Sequence, residues 1–368
     1  MRVKFRPLAF GAAIGASVLL AACSSSSSGG AASTGSASAA AAGTAASSAA
    51  GSSTGSVVLP AEKIGIVGAS NQSTIVVRYE NDVEAAAKVL GWSTVVDDGN
   101  NTPSTWDNEL QNLVTQHVSA ILTVGVDATT AETQLQAAKA ANIPVIAVGV
   151  TVNPQEQSLF AGAYEDSSND LGDALATYIL KKDPKAGIVA QNLTVAYSAS
   201  QLIAGFEKAL TTGGGTVLAT QDDAGANPTQ SFSASAVSLV RAHPNAAFIV
   251  GCCDFTSAID LPALQQANLT QHVTIAEAYD DPITLQQIRA GEPVITVAVN
   301  NEQPIVDAMG ALAAYFANKT PIPATDTTYQ PQAKVVDKSN VPSSGNVYSF
   351  DDMLNAAATK WRAEYKIS

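Results

Sequence analysis

From residue 61 onward, short runs of β-branched and small apolar residues alternate with longer stretches whose apolar positions recur at helical spacing. The runs at 63–68, 93–97, 120–124, 145–150, 187–191, 216–220, 247–250, 273–276 and 294–299 are mostly apolar along their length, the pattern of strands buried on both faces. Between two of them, Trp106, Leu110, Leu113, Val114 and His117 fall at i, i+4, i+7, i+8 and i+11, one face of a helix. The stretch 76–90 is also helical in pattern and stops at Gly91, a residue suited to the left-handed C′ position. Strands alternating with crossover helices build a doubly wound parallel sheet, and nine strands are enough for two such sheets. Turn-rich punctuation at 162–170 and 299–304 marks where one lobe gives way to the other. Beyond 335, Met353, Ala357, Trp361 and Tyr365 predict one further helix after the loop Pro342-Ser343-Ser344-Gly345.

The first part of the chain has a different pattern. Residues 1–6 are basic, 8–20 form a short apolar run interrupted by Gly11 and Gly15, and Leu20-Ala21-Ala22-Cys23 follows. That run is too short for a membrane span and reads as a secretory signal. The four residues ending at Cys23 resemble a bacterial lipobox, which implies cleavage before Cys23 and acylation of its thiol and amino group. Residues 24–56 contain only Ser, Gly, Ala and Thr. They bury too little apolar area to offset ordering, and act as a tether reaching about 30 Å.

Composition narrows the function classes. The formal charge of −13 becomes −16 when residues 1–22, with three cations and no acid, are removed. So acidic a chain argues against nucleic acid and against a polybasic membrane surface. Aromatics make up 6%, too few for a base-stacking platform. His117, His243 and His272 are scattered and match no metal-ligand spacing, and no cofactor motif is present. A secreted hydrolase is the rival class, but GxSxG is missing, and Asp222-Asp223 and Asp280-Asp281 are adjacent pairs whose side chains diverge in an extended segment.

Two sheets of this kind present their strand carboxyl ends to a shared cleft. The polar loops just after the strands therefore supply the candidate ligand contacts: Asn71, Gln72, Ser73, Asp127, Asn227, Asp254, Tyr279, Asp280 and Asn300. Each could equally cap a helix. Trp106 is a candidate stacking wall if the start of its helix faces the cleft; otherwise it belongs to the core. The adjacent Cys252 and Cys253 leave two readings open in an exported chain: a strained vicinal disulfide forming an apolar platform, or two reduced thiols buried as small hydrophobes.

The order of these pieces resembles the periplasmic sugar-binding proteins of the ribose-binding type, the solute receptors of ATP-binding-cassette importers. The likeness covers about 61–335. It rests on Lys63-Ile64-Gly65-Ile66-Val67, Asn142-Ile143-Pro144-Val145-Ile146, Gly205-Phe206, Ala242-His243-Pro244, Asp254 opening a helix, and Ala290-Gly291. The resemblance implies a type I periplasmic binding protein: two Rossmann-like lobes, each a mostly parallel sheet flanked by helices, joined by three crossings with the ligand cleft between them. The implied division is 57–163 with 300–330 as the N-terminal lobe, 164–299 with 331–349 as the C-terminal lobe, and 350–368 as a terminal helix. It further implies a receptor that captures a neutral polar solute, a sugar or polyol, for a membrane permease, without catalysis; a sensor signalling to a membrane partner is the other use of the fold. The family's usual pocket groups are replaced here. Ser73, Ile75 and Val76 stand for Asn and aromatics, Gly149 and Val150 for an Asp-Arg pair, Leu202 for a second Arg, Asn227 for an aromatic and Cys253 for an Asn. The late Asp falls at Tyr279 or Asp280, and the late amide at Val299 or Asn300. Losing both Arg removes the bidentate donors suited to a carboxylate or densely hydroxylated ligand.

Overall fold

The computed structural model describes residues 57–367 apart from positions 72, 101, 127–130, 150, 225–226, 327–328 and 330. The expected signal, Cys23 and the tether lie outside the described residues, as do Gln72 and Asp127.

The first lobe is built on five parallel strands: β2 (Lys63–Gly68), β3 (Ser93–Asp98), β4 (Ala120–Val124), β5 (Val145–Val148) and β6 (Gly162–Tyr164), in the order β3-β2-β4-β5-β6. Helix α1 (Thr74–Val89) starts where the Ser73 hydroxyl accepts the Val76 N–H at 3.2 Å. It buries Ile75, Val76, Tyr79, Val83, Ala86 and Ala87 on one sheet face and stops at Gly91, whose φ of 76° suits glycine. The opposite face carries α2 (Pro103–Thr115) and α3 (Glu132–Ala140). Along α2, Trp106, Leu110 and Leu113 are buried, each stabilising the fold by about 1.5–3 kcal/mol.

The second lobe has six strands in the order β12-β11-β10-β9-β7-β8. Strands β7 (Gly187–Leu193), β8 (Thr216–Asp223), β9 (Phe248–Gly251), β10 (Thr274–Ala278) and β11 (Val294–Ala298) are parallel, and β12 (Lys334–Val336) joins antiparallel at the edge. Helices α4 (Ser168–Lys182) and α5 (Tyr197–Thr212) cover one face; α6 (Pro228–Ala242), α7 (Thr256–Gln266) and α8 (Pro282–Ala290) cover the other. The expected two-lobed, parallel-sheet α/β architecture is therefore what the chain adopts.

The chain passes between the sheets four times, at 165–167, at 299–301, somewhere between Thr325 and Lys334, and at 337–349, one more than the resemblance implies. After the second passage α9 (Glu302–Asn318) lies against α1 in the first lobe's core. The fourth passage returns α10 (Phe350–Glu364) to that same core, where Ala358 and Trp361 are buried, and β13 (Tyr365–Lys366) pairs with β1 (Val57–Val58). The amphipathic pattern past 335 thus completes the first lobe. Among the described residues, no helix is long and apolar enough to cross a membrane.

Candidate functional site

The carboxyl ends of β2, β4, β5, β7, β9 and β10 meet at one interlobe cavity of about 260 Å³. The first lobe contributes the segments after β2, β4 and β5: Ser70, Ser73, Gly125 and Gly149, with Ile75, Val76 and Tyr79 from α1. The second lobe contributes Leu193 after β7, Cys252 through Phe255 after β9, and Tyr279 after β10. Helices α1, α5, α6 and α7 all begin at the cavity wall, through Ile75, Ser198, Thr229 and Phe255 with their neighbours. Their amino ends direct partial positive charge into a space where, among the described lining residues, no Lys, Arg or His stands and Asp254 is the one carboxylate.

Asp254 bridges the lobes. The Ser73 hydroxyl donates to its Oδ2 at 2.6 Å while accepting from the Val76 N–H, so one side chain both caps α1 and reaches across the cleft. The backbone N–H of Ile75, in the first turn of α1, also donates to this carboxylate. Burial pushes the Asp254 carboxyl up to about 6; the nearby Asp281 charge adds to this, and the hydrogen bonds from Ser73 and the backbone oppose it.

Behind the cavity, the passages between the lobes are tied together by polar contacts. Tyr279 adopts φ 71°, and its hydroxyl hydrogen-bonds Asp166 in the first passage. The Asn301 amide of the second passage donates to Asp166 Oδ2 at 3.2 Å and to the Gly149 carbonyl at 3.4 Å. Arg78 of α1 donates to Asp280 Oδ1 at 2.8 Å and lies 3.0 Å from Glu302 Oε1. Burial raises the Glu302 carboxyl to about 7, and the Arg78 charge opposes the rise.

Of the residues expected to meet the ligand, Ser73, Cys253, Asp254 and Tyr279 line this cavity, and Cys252 stands beside them. Both cysteines are buried in the wall, with their Sγ atoms 2.7 Å apart. Trp106 does not line the cavity. It is 3% exposed in the core under α2, and its indole N–H donates to the Ala69 carbonyl at 3.0 Å. A Cβ on Gly99 would lie 2.1 Å from its ring, so Gly99 fixes the indole in that position. Asp280 faces Arg78 and the Val347 N–H instead of the cavity. Asn227 is exposed and caps α6 by accepting from the Gln230 N–H, while Asn300 accepts the Gln303 N–H at the start of α9. Asn71 is exposed, its backbone N–H bonded to Asp98. Ile75 and Val76, expected from the resemblance as replacements of pocket aromatics, do line the cavity, whereas Leu193, Phe255 and Ile259 went unread, because in sequence those positions look like ordinary core faces of helices and strands.

Solved structures share this architecture at low sequence identity. An Agrobacterium vitis solute-binding protein of an ABC transporter, bound with α-D-tagatopyranose, superposes with a TM-score of 0.69 at 18% identity, covering 77% of this chain and 96% of that one. A Mycobacterium smegmatis protein in complex with β-D-fucofuranose gives 0.68 at 17% identity, covering 81% and 98%. The Caulobacter myo-inositol binding protein, bound to myo-inositol, gives 0.67 at 18% identity, covering 76% and 94%. A search of curated proteins returned no match. The fold is that of a type I periplasmic binding protein. A family model described as a periplasmic binding protein domain matches residues 64–320, and the chain therefore belongs to the periplasmic binding protein family.

Proposed function

We propose that this chain is an extracytoplasmic, lipid-anchored receptor that captures a small neutral hydroxyl-bearing solute of the sugar or polyol class and hands it to the permease of an ATP-binding-cassette importer. The observation that carries the reading is the cavity itself, enclosed by the strand ends of two lobes and bridged by Ser73 and Asp254. Opening would break that bridge while the passages near Asp166 and Asn301 act as the hinge, and a bound solute would favour the closed arrangement by contacting both walls at once. Ser73, Asp254, Tyr279 and Cys253 would be its contacts. The lack of a cation among the described lining residues favours a neutral solute over a carboxylate or phosphate. Sugars and a polyol bound in the neighbouring structures supply the ligand class. Cys23 would carry the lipid, with 24–56 as the tether that lets the receptor reach its permease.

Small-angle scattering with a panel of neutral sugars, polyols and amino acids tests the reading. Compaction and a rise in melting temperature with a neutral hydroxylated solute are expected. No response to any neutral solute would overturn it.

A further inference from the structure

Behind the cavity, one cation stands among acids from both lobes. Arg78 of α1 donates to the Asp280 carboxylate at 2.8 Å and to the Asp280 carbonyl at 3.3 Å, reaching from the first lobe to the segment after β10. The same guanidinium lies 3.0 Å from Glu302, the first residue of α9 in the first lobe. Asp280 is fully buried and Glu302 is 1% exposed. Asp280 also accepts the Val347 N–H at 3.0 Å, so this contact ties α1, the second lobe and the fourth passage together. The other titratable groups facing Glu302 are Tyr79 and Asp82 of α1, Tyr329 of the third passage and Tyr348 of the fourth. Burial raises all three phenols, which stay neutral, and Asp82 is a further buried acid. Among the described residues, no second cation pairs with any of these carboxylates.

Three buried carboxylates against one guanidinium leave the cluster short of positive charge, and a proton supplies it at less cost than an uncompensated buried anion. Resting on the receptor reading above, we infer that closing of the two lobes takes up a proton at Glu302, so that acidification favours the closed, solute-holding arrangement. Parting the lobes draws Asp280 away from Arg78 and admits water to the cluster; Glu302 then returns toward its ordinary range and its proton leaves to solvent. An acid whose pKa is higher in the closed form favours closing below its open-form value, and that contribution is lost as pH rises through its closed-form value. With burial holding Glu302 at about 7 when closed, against 4.5 in water, the closed-to-open ratio rises about tenfold from about pH 8.5 to about pH 6. Asp254, raised to about 6, adds about twofold over the same range.

Small-angle scattering of the full chain without solute, from about pH 8.5 to about pH 6, tests this. The compact fraction of the wild type is expected to rise on acidification. In Glu302→Gln the neutral amide stands in for the protonated acid, so the chain is expected to be compact throughout, with the closed-to-open ratio changing about tenfold less than in the wild type. Asp280→Asn leaves Arg78 to Glu302 alone and is expected to move the response to lower pH; it keeps the inference open to refutation if the Gln variant misfolds. No pH response in the wild type, an equal response in Glu302→Gln, or an unmoved response in Asp280→Asn overturns the inference. Compaction with a neutral solute at one fixed pH would then leave the receptor reading standing. Silence of the whole solute panel overturns that reading whatever the pH profile.

Discussion

Replacing Asp254 by Asn isolates the electrostatic cost of holding a carboxylate inside the closed cleft. The side chain is 8% exposed, and burial lifts its pKa from 3.8 to about 6. A shift of about two units corresponds to about 3 kcal/mol. An acid whose folded pKa stands above its unfolded value holds its proton more tightly when folded. It therefore favours folding at low pH, and that contribution is lost as pH rises from about 4 to about 6. Asn cannot ionise, so the variant lacks this loss. The weakened bonds to Ser73 and Ile75 impose an offset on the variant, but the amide is uncharged throughout and adds no pH dependence of its own. Urea unfolding of both proteins between pH 3.5 and 8 reads the difference. The wild type is expected to lose about 3 kcal/mol relative to the variant over that range, most of it between pH 4 and 6. Parallel stability curves would refute the burial and bridging assigned to Asp254.

Arg78→Met removes the cation that faces Asp280 and Glu302 and leaves both acids buried without it; a destabilisation of about 3–5 kcal/mol is expected in urea melts, and a change under 1 kcal/mol would contradict the pairing. Gly99→Ala places a methyl group 2.1 Å from the Trp106 ring and 2.5 Å from the Gly68 carbonyl, so a lowered melting temperature with altered tryptophan fluorescence is expected; an unchanged melt would show that the indole is not held there. The Cys252–Cys253 contact favours exchange with an exported disulfide donor, the pair giving up two electrons and two protons as the donor's disulfide becomes two thiols. The exported chain, denatured without reductant, is expected to show no reactive thiol from this pair, and two thiols per chain would show that it stays reduced.

Much of the fold was legible because buried parallel strands and amphipathic crossovers have distinct periods. The boundaries of β2 and β4 match the apolar runs at 63–68 and 120–124, and the face of α2 follows the spacing of Trp106, Leu110 and Leu113. Strands β6 and β12 escaped notice because each has three residues, too few to show a period. The site was harder to read. Polar residues after strands were candidates for the ligand, yet Asn227 and Asn300 satisfy backbone N–H groups at the starts of α6 and α9. Those N–H groups lack helical partners, so nearby amides and carboxylates are drawn to them first. Part of the cavity wall comes from apolar residues in the first turns of α1, α5 and α7, among them Ile75, Ala199 and Ile259, positions whose periodicity is the same whether they face a core or a ligand. Ser73, Cys253, Asp254 and Tyr279 were found from loop position and the family resemblance. The direct contact between Ser73 and Asp254, 181 residues apart, has no local signal.

Mass spectrometry of the small molecules released on denaturing the full chain purified from its native host tests the central claim most directly. One neutral, hydroxyl-bearing compound in near-stoichiometric amount is the predicted result. A carboxylate, phosphate or amino acid in its place would contradict the account of a neutral solute held in a cleft whose described walls carry no cation.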